Sequence, residues 1–288
     1  MSSALDSKRA APDGPLACMD VWGGNVPTQT TIDRPGLTCQ IYSRVYQESE
    51  HGGDVYYLSS CASGRVTRFL LADVCGHGES AAATAQTLRQ LMRRNVNRIR
   101  QKQLVEAVNR ELSDVDDNGR FATALIGTWI SANSHLMLSN AGHPSPLLFR
   151  RREQAWSQLS GQREEIHPGN IPLGIDRKSE YTQIQAKLEV GDRLLCYTDA
   201  ITEAVQADGQ LFSTDGLLRY LQSDLSRVTQ QIVPDLLEQL STWSPENLVR
   251  DDLTIMLFEV TARPVAVRDS LLSPFRWLSD VLSPPDSD

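Results

Sequence analysis

Apolar and polar positions along the chain predict strands laid down mostly as hairpins, with helices grouped between them. Leu37 to Tyr46 reads as a strand. Asp54 to Ser60 and Arg65 to Val74 are two apolar runs joined by Cys61, Ala62, Ser63 and Gly64. A connection of that length containing glycine suits a hairpin. Within the second run, Phe69 to Val74 is apolar almost throughout, as expected of a strand covered on both faces. Phe121 to Ile130 and His135 to Ser139 form another hairpin around Ser131 to Ser134. Further strands are expected at Pro146 to Arg150, Tyr181 to Val190, Arg193 to Tyr197 (after a Gly191-Asp192 turn) and Asp252 to Val260.

Helical spacing appears at Glu79 to Asn95, Ala-rich at first and then carrying Leu88, Leu91 and Met92 on one face. Gln103 to Leu112 repeats Leu104, Val108 and Leu112 at intervals of four. Two more helices are expected near Gly216 to Leu225 and Thr229 to Trp243. Hairpins with grouped helices make an α+β pattern rather than an alternating βαβ one.

The first 35 or so positions are rich in Ser, Ala, Pro, Gly and Thr and read as a loosely ordered lead-in, although Val21 and Trp22 call for packing on the body. After Val260, Leu271, Phe275, Leu278 and Leu282 share a helical face within a C-terminal tail. Length alone suggests about two domains. Lys plus Arg number 28 against 36 Asp plus Glu, a net charge of −8, which disfavours nucleic acid as a partner. No apolar run is long enough to insert stably in a membrane, and Met1 to Ala17 has no signal-type apolar core. Five scattered cysteines form no CxxC pair, which argues against a disulfide framework and for a cytoplasmic setting.

Candidate chemistry lies in aspartates at strand ends beside glycine or another acid. Asp54 follows Gly52 and Gly53, Asp73 precedes Cys75-Gly76-His77-Gly78, Asp199 follows Tyr197-Thr198, and Asp251 and Asp252 open the last strand. Any one of them alone is an ordinary turn residue. Four such strand ends, with few Lys or Arg in the same motifs, point instead to a hard divalent cation held by carboxylates.

Seven motifs then occur in one order: Gly52-Gly53-Asp54; Asp73 to Gly78; Arg120-Phe121-Ala122-Thr123; Asn140 to Pro144; Pro172-Leu173-Gly174; Tyr197-Thr198-Asp199 with Glu203; and Asp251 to Thr254. The set resembles the metal-dependent protein phosphatases of the PPM (type 2C) family, in the bacterial SpoIIE-like branch. The resemblance runs from Leu37 to Val260. It implies a four-layer α-β-β-α sandwich, with two central antiparallel sheets flanked by helices. One phosphatase domain would span 36–262, between the lead-in at 1–35 and a tail at 263–288, overriding the two-domain estimate from length. It also implies two Mn²⁺ or Mg²⁺ ions. Asp73 would bridge both ions and the backbone carbonyl of Val74 would bind one. Asp199 and Asp251 would hold one ion and Asp54 the other, with Asp252 as an outer ligand. Asp73 and Asp54 are thereby the catalytic carboxylates, and an activated water would attack phosphorus in line with no covalent enzyme intermediate.

The substrate class so implied is phosphoserine or phosphothreonine in a protein, such as a phosphorylated anti-sigma-factor antagonist in a partner-switching pathway. Input would come from an activating protein partner or a homodimer. Two departures stand out. Cys75 occupies the place where eukaryotic members carry a histidine proton donor, with His77 two positions on as a substitute. No phosphate-gripping Arg lies near the N-terminal strand. The missing histidine and the apolar C-terminal tail leave open a catalytically silent module of the same fold that binds a protein partner, and a small phosphoester substrate is a weaker alternative. His143 is read as a turn histidine that shapes the site rather than a catalyst.

Overall fold

A computed structural model describes residues 19–61, 64–76, 78–115, 119–159 and 171–262. In chain order the strands are β1 (Met19–Gly24), β2 (Thr28–Arg34), β3 (Leu37–Arg44), β4 (Asp54–Cys61) and β5 (Val66–Val74). Helices α1 (Glu79–Asn95) and α2 (Gln101–Val115) follow, then β6 (Ala122–Ile130), β7 (His135–Ala141), β8 (Leu147–Arg150), β9 (Ala155–Gln158), β10 (Ile184–Lys187) and β11 (Arg193–Tyr197). Helices α3 (Ser213–Ser223) and α4 (Thr229–Trp243) precede β12 (Leu253–Val260). The expected helical face at Leu271, Phe275, Leu278 and Leu282, and His77, lie outside the described residues.

The doubly apolar strands dictate the layering. Alternate side chains of a strand point to opposite faces. On one face of β4 and β5, Val55, Tyr57, Leu70, Ala72 and Val74 pack against Leu88 and Met92 of α1 and Leu104 and Val108 of α2. On the other face, Leu58, Phe69 and Leu71 meet Ile41, Met256 and Phe258 of a second sheet. Phe69 and Phe258 stack across that interface with ring centroids 4.5 Å apart. The second sheet in turn buries Leu195, Tyr197, Ile255 and Leu257 against Leu217 and Leu221 of α3 and Leu236 and Leu240 of α4. The result is the expected four-layer sandwich. Each sheet has six strands, ordered β1-β4-β5-β6-β7-β10 and β2-β3-β12-β11-β8-β9, and every named pairing is antiparallel.

Differences from the sequence reading fall at sheet edges. Positions 19–34, read as lead-in, contain β1 and β2, paired along β4 and β3. In β2 only Ile32 is buried, so its place is set by backbone pairing to β3 and leaves no apolar alternation to read. The short edge strand β9 is likewise unannounced, anchored by Trp156 against Phe149 with centroids 5.4 Å apart. The last strand of the first sheet, β10, keeps only the middle of the Tyr181 to Val190 stretch. Helix α3 starts earlier than expected because the Gly216 amide donates to Ser213 Oγ at 3.3 Å. Among the described residues no helix is long and apolar enough to cross a membrane.

Candidate metal centre

Register brings the first two carboxylates together. In the β4–β5 hairpin Asp54 is the cross-strand partner of Asp73. Directly opposed like charges repel, and both strands are deeply packed. Burial, then the charges of Asp73 and Asp252, push the Asp54 carboxyl well above the usual carboxylate range. Thr198, just beyond β11 in the other sheet, counters this by donating its hydroxyl to Asp54 Oδ2 at 2.9 Å. The same Thr198 oxygen accepts the Thr254 amide at 2.9 Å, so one side chain ties the carboxylate to two strands of the second sheet.

Asp73, half-buried, is pushed up to about 7, first by burial and then by Asp199, Asp251, Asp252 and Glu203. These contributions come from the ends of β11 and β12 and from the turn after β11, so both sheets present carboxylates at one end of the sandwich. Asp199 opens a one-turn 3-10 segment, Asp199–Ile201. Its carboxyl is raised by burial and then by Glu203. The motif quoted Glu203 without a role; the structure adds it to the cluster, with its amide on the Asp199 carbonyl at 2.8 Å.

The adjacent acids Asp251 and Asp252 divide their tasks. Asp251 is exposed, and its Oδ1 accepts the Asp252 amide at 2.8 Å. Asp252, expected as an outer ligand, is 8% exposed and turned inward. Its Oδ1 accepts the Tyr46 amide at 2.7 Å, and its Oδ2 accepts the amides of Gly53 at 2.5 Å and Asp54 at 3.3 Å. The glycines before Asp54 are required by this packing. A Cβ on Gly52 would lie 2.6 Å from Asp252 Oδ1, and one on Gly53 would lie 3.2 Å from the Val74 carbonyl oxygen. Glycine therefore lets Asp252 reach the turn and keeps position 53 clear of the Val74 carbonyl. Asn25 fastens the same turn to α1 by donating to the carbonyls of Gly52 at 2.9 Å and Ala82 at 3.2 Å.

Two further motif residues support the centre without joining it. Thr123, the cross-strand partner of Asp73, shares a 2.8 Å hydrogen bond with His143 Nδ1. Asn140 clamps His143 by accepting its amide and donating to its carbonyl, each at 2.8 Å. Burial pushes the imidazole down to about 3, keeping it neutral, and its buried Nε2 has no hydrogen-bond partner among the described residues. His143 thus makes the local turn hydrogen bonds expected of it. Cys75 is tied to Phe121: its amide donates to the Phe121 carbonyl at 3.0 Å, and its sulfur accepts the Phe121 amide at 3.4 Å.

The donor set fits hard divalent cations. It consists of carboxylate and carbonyl oxygens, and the charges acting most strongly on Asp73 are all negative. Among the described residues no three His, Cys, Asp or Glu side chains stand close enough to cage an ion as they are placed.

A two-sheet sandwich with helices outside and carboxylates gathered at one end of both sheets defines the architecture of PPM-type phosphatase domains. The family described as Stage II sporulation protein E (SpoIIE) matches residues 63–261, and the chain belongs to it. It is 27% identical over 205 residues to the phosphoserine phosphatase RsbP of Bacillus subtilis, covering 69% of this chain and 48% of that one. With the phosphoserine phosphatase RsbU of the same organism it shares 22% over 236 residues, covering 82% and 65%. The chain thus spans between about half and two thirds of these relatives. Among solved structures, the RsbU and RsbW domains of Rv1364c from Mycobacterium tuberculosis superpose with a TM-score of 0.67 at 22% identity, covering 89% of this chain and 72% of that one.

Proposed function

We propose that the chain is a divalent-cation-dependent phosphatase acting on phosphoserine or phosphothreonine in a protein. One observation carries the reading: Asp73 sits at the meeting point of two sheets, and the charged groups that act most strongly on it are all carboxylates. Such a grouping is unfavourable without bound cations. Asp54, Asp73, Asp199, Asp251 and the Val74 carbonyl would hold two Mn²⁺ or Mg²⁺ ions. When bound, the ions supply Lewis acidity toward a phosphoryl group and toward an attacking water.

The remaining residues position these oxygens. Thr198 holds Asp54 through its Oδ2. Asp252 fixes the turn that carries Asp54. The His143–Thr123 pair braces the strand facing Asp73. Cys75 stands where a histidine donor would, and bulk water is the proposed proton source for the departing Ser or Thr oxygen. Membership in a family with phosphoserine phosphatases RsbP and RsbU supports a phosphoprotein substrate. A phosphorylated anti-sigma-factor antagonist in a cytoplasmic partner-switching pathway, with an activating partner or homodimer as input, is the specific form of this proposal.

The test is hydrolysis of p-nitrophenyl phosphate by the purified protein with Mn²⁺, with Mg²⁺ and with chelator, beside Asp73→Asn. Cation-dependent turnover that disappears in the variant is expected. No turnover and no cation binding by calorimetry would replace the proposal with the silent partner-binding module.

A further inference from the structure

A surface cleft of about 470 Å³, joined to the Asp251-Asp252 turn through the Tyr46 amide, is lined by Tyr46, Gln47, Glu246, Val249 and Arg250. Its two walls come from segments far apart in sequence, and both are fastened to the strand end that carries Asp251. The first wall is held by the Tyr46 amide on Asp252 at 2.7 Å. The second is a 3-10 turn, Pro245–Leu248, with the amides of Val249 and Arg250 both on the Glu246 carbonyl at 3.0 Å. Asn247 roots that turn in the body by donating to the carbonyls of Val205 at 2.9 Å and Leu240 at 3.0 Å. Gln47 adopts a left-handed backbone, φ 48°, which is costly for a residue with a Cβ. Its Nε2 donates to Tyr46 Oη at 2.7 Å, aligning the two side chains along the cleft.

Charge decides what such a cleft suits. A phosphate dianion approaching Asp73, Asp199 and Asp251 meets negative groups, and Arg250 is the residue next to Asp251 in the chain. Its Nε lies 3.6 Å from Glu246 Oε2, with the two side chains 62% and 70% exposed. A pair so exposed is weak and exchangeable. A guanidinium binds phosphate through two parallel hydrogen bonds, a stronger match than a single loose carboxylate contact.

Resting on the phosphatase reading, we propose that this cleft docks the residues flanking the phosphorylated side chain of the substrate protein. Arg250 is the cation that receives the phosphate on its way to the carboxylates. The fold brings Arg250 against Tyr46 and Gln47 from the opposite end of the chain. Tyr46 and Val249 give the substrate backbone an apolar wall, and the strained Gln47 holds the polar rim in place.

The test measures fluorescence anisotropy of a fluorescein-labelled Gly-Ala peptide centred on one phosphoserine. It uses the full chain carrying Asp73→Asn, so that binding is read without turnover. Adding Arg250→Gln should weaken binding about tenfold, the scale of one charge-assisted hydrogen-bond pair. Arg250→Lys should fall between, and Val249→Glu, which places a like charge in the cleft, should weaken binding at least as much as Arg250→Gln. Urea midpoints matching the parent confirm that each variant is folded. The same peptide without phosphate should show no dependence on Arg250. Unchanged affinity in both Arg250→Gln and Val249→Glu overturns the docking site, even if the wild-type chain hydrolyses phosphoesters. Loss of binding in those variants, with no hydrolysis by the wild-type chain under any cation, instead refutes the phosphatase reading and leaves the cleft as a phosphopeptide-binding site.

Discussion

Asp252 holds the amide of Gly53 at 2.5 Å across 199 positions of sequence. This contact welds the turn before β4 to the start of β12 and so fixes where Asp54 stands relative to Asp251. Two adjacent aspartates therefore have separable duties. Asp252→Ala leaves three amides without their acceptor and should cost about 3 kcal/mol of stability, read as a lower urea midpoint. Asp251→Asn removes an exposed charge and should leave that midpoint nearly unchanged while abolishing cation-dependent turnover. Equal destabilisation by both changes would contradict this division.

Divalent cations should stabilise the folded chain. On the proposed reading they would bind the native carboxylates and not the dispersed carboxylates of the unfolded chain, so the melting temperature should rise with Mn²⁺ or Mg²⁺ concentration and fall back with chelator. In Asp73→Asn the repulsion around that position is relieved. Its metal-free melting temperature should equal or exceed that of the parent, and the cation-induced rise should shrink. An undiminished rise would place the cations elsewhere.

His143 gives the protein a defined acid sensitivity. Its imidazole is held down to about 3 by burial, against an ordinary value of 6.5. The unfolded chain therefore binds a proton here that the folded chain refuses. Stability contributed at this site is full above pH 6.5 and is lost as the pH falls toward 3, by about 1.4 kcal/mol per unit. Chemical denaturation across that window should show one proton fewer taken up on unfolding in His143→Gln than in the parent. Identical slopes would mean that His143 is accessible to protons in the folded state.

Away from the centre, Asp192 closes the turn into β11. It is 1% exposed, and its carboxylate accepts Arg150 Nη1 at 3.0 Å and the amides of Arg151 and Glu189, each at 2.9 Å. Asp192→Ala should cost about 3 kcal/mol, since the amides lose a buried acceptor and Arg150 loses its partner. Its effect on turnover should vanish once data are taken well below the lowered melting temperature. A loss of turnover that persists under those conditions would tie this turn to the reaction.

Much of this molecule is legible in its residues alone. The apolar faces of β4, β5, α1, α4 and β12 are continuous enough to announce those elements, because burial on a fixed period leaves its mark on every second or every third to fourth position. The acids at strand ends stand out for the opposite reason, since charge is costly where a strand core stops unless something holds it. What the chain's order could not disclose depends on pairing. Strand β2 owes its place to backbone hydrogen bonds with β3, which any side chain satisfies, and β1 and β9 add only short anchors, Val21, Trp22 and Trp156. Neighbouring acids in one motif look alike in sequence, yet Asp252 turns inward to three amides while Asp251 stays exposed. Arg250 reaches the wall formed by Tyr46 and Gln47 only because β12 lies against β3 in the second sheet. Periodicity and composition record how much each position is buried; which distant residue it meets is decided by sheet order and register, and that meeting builds the site.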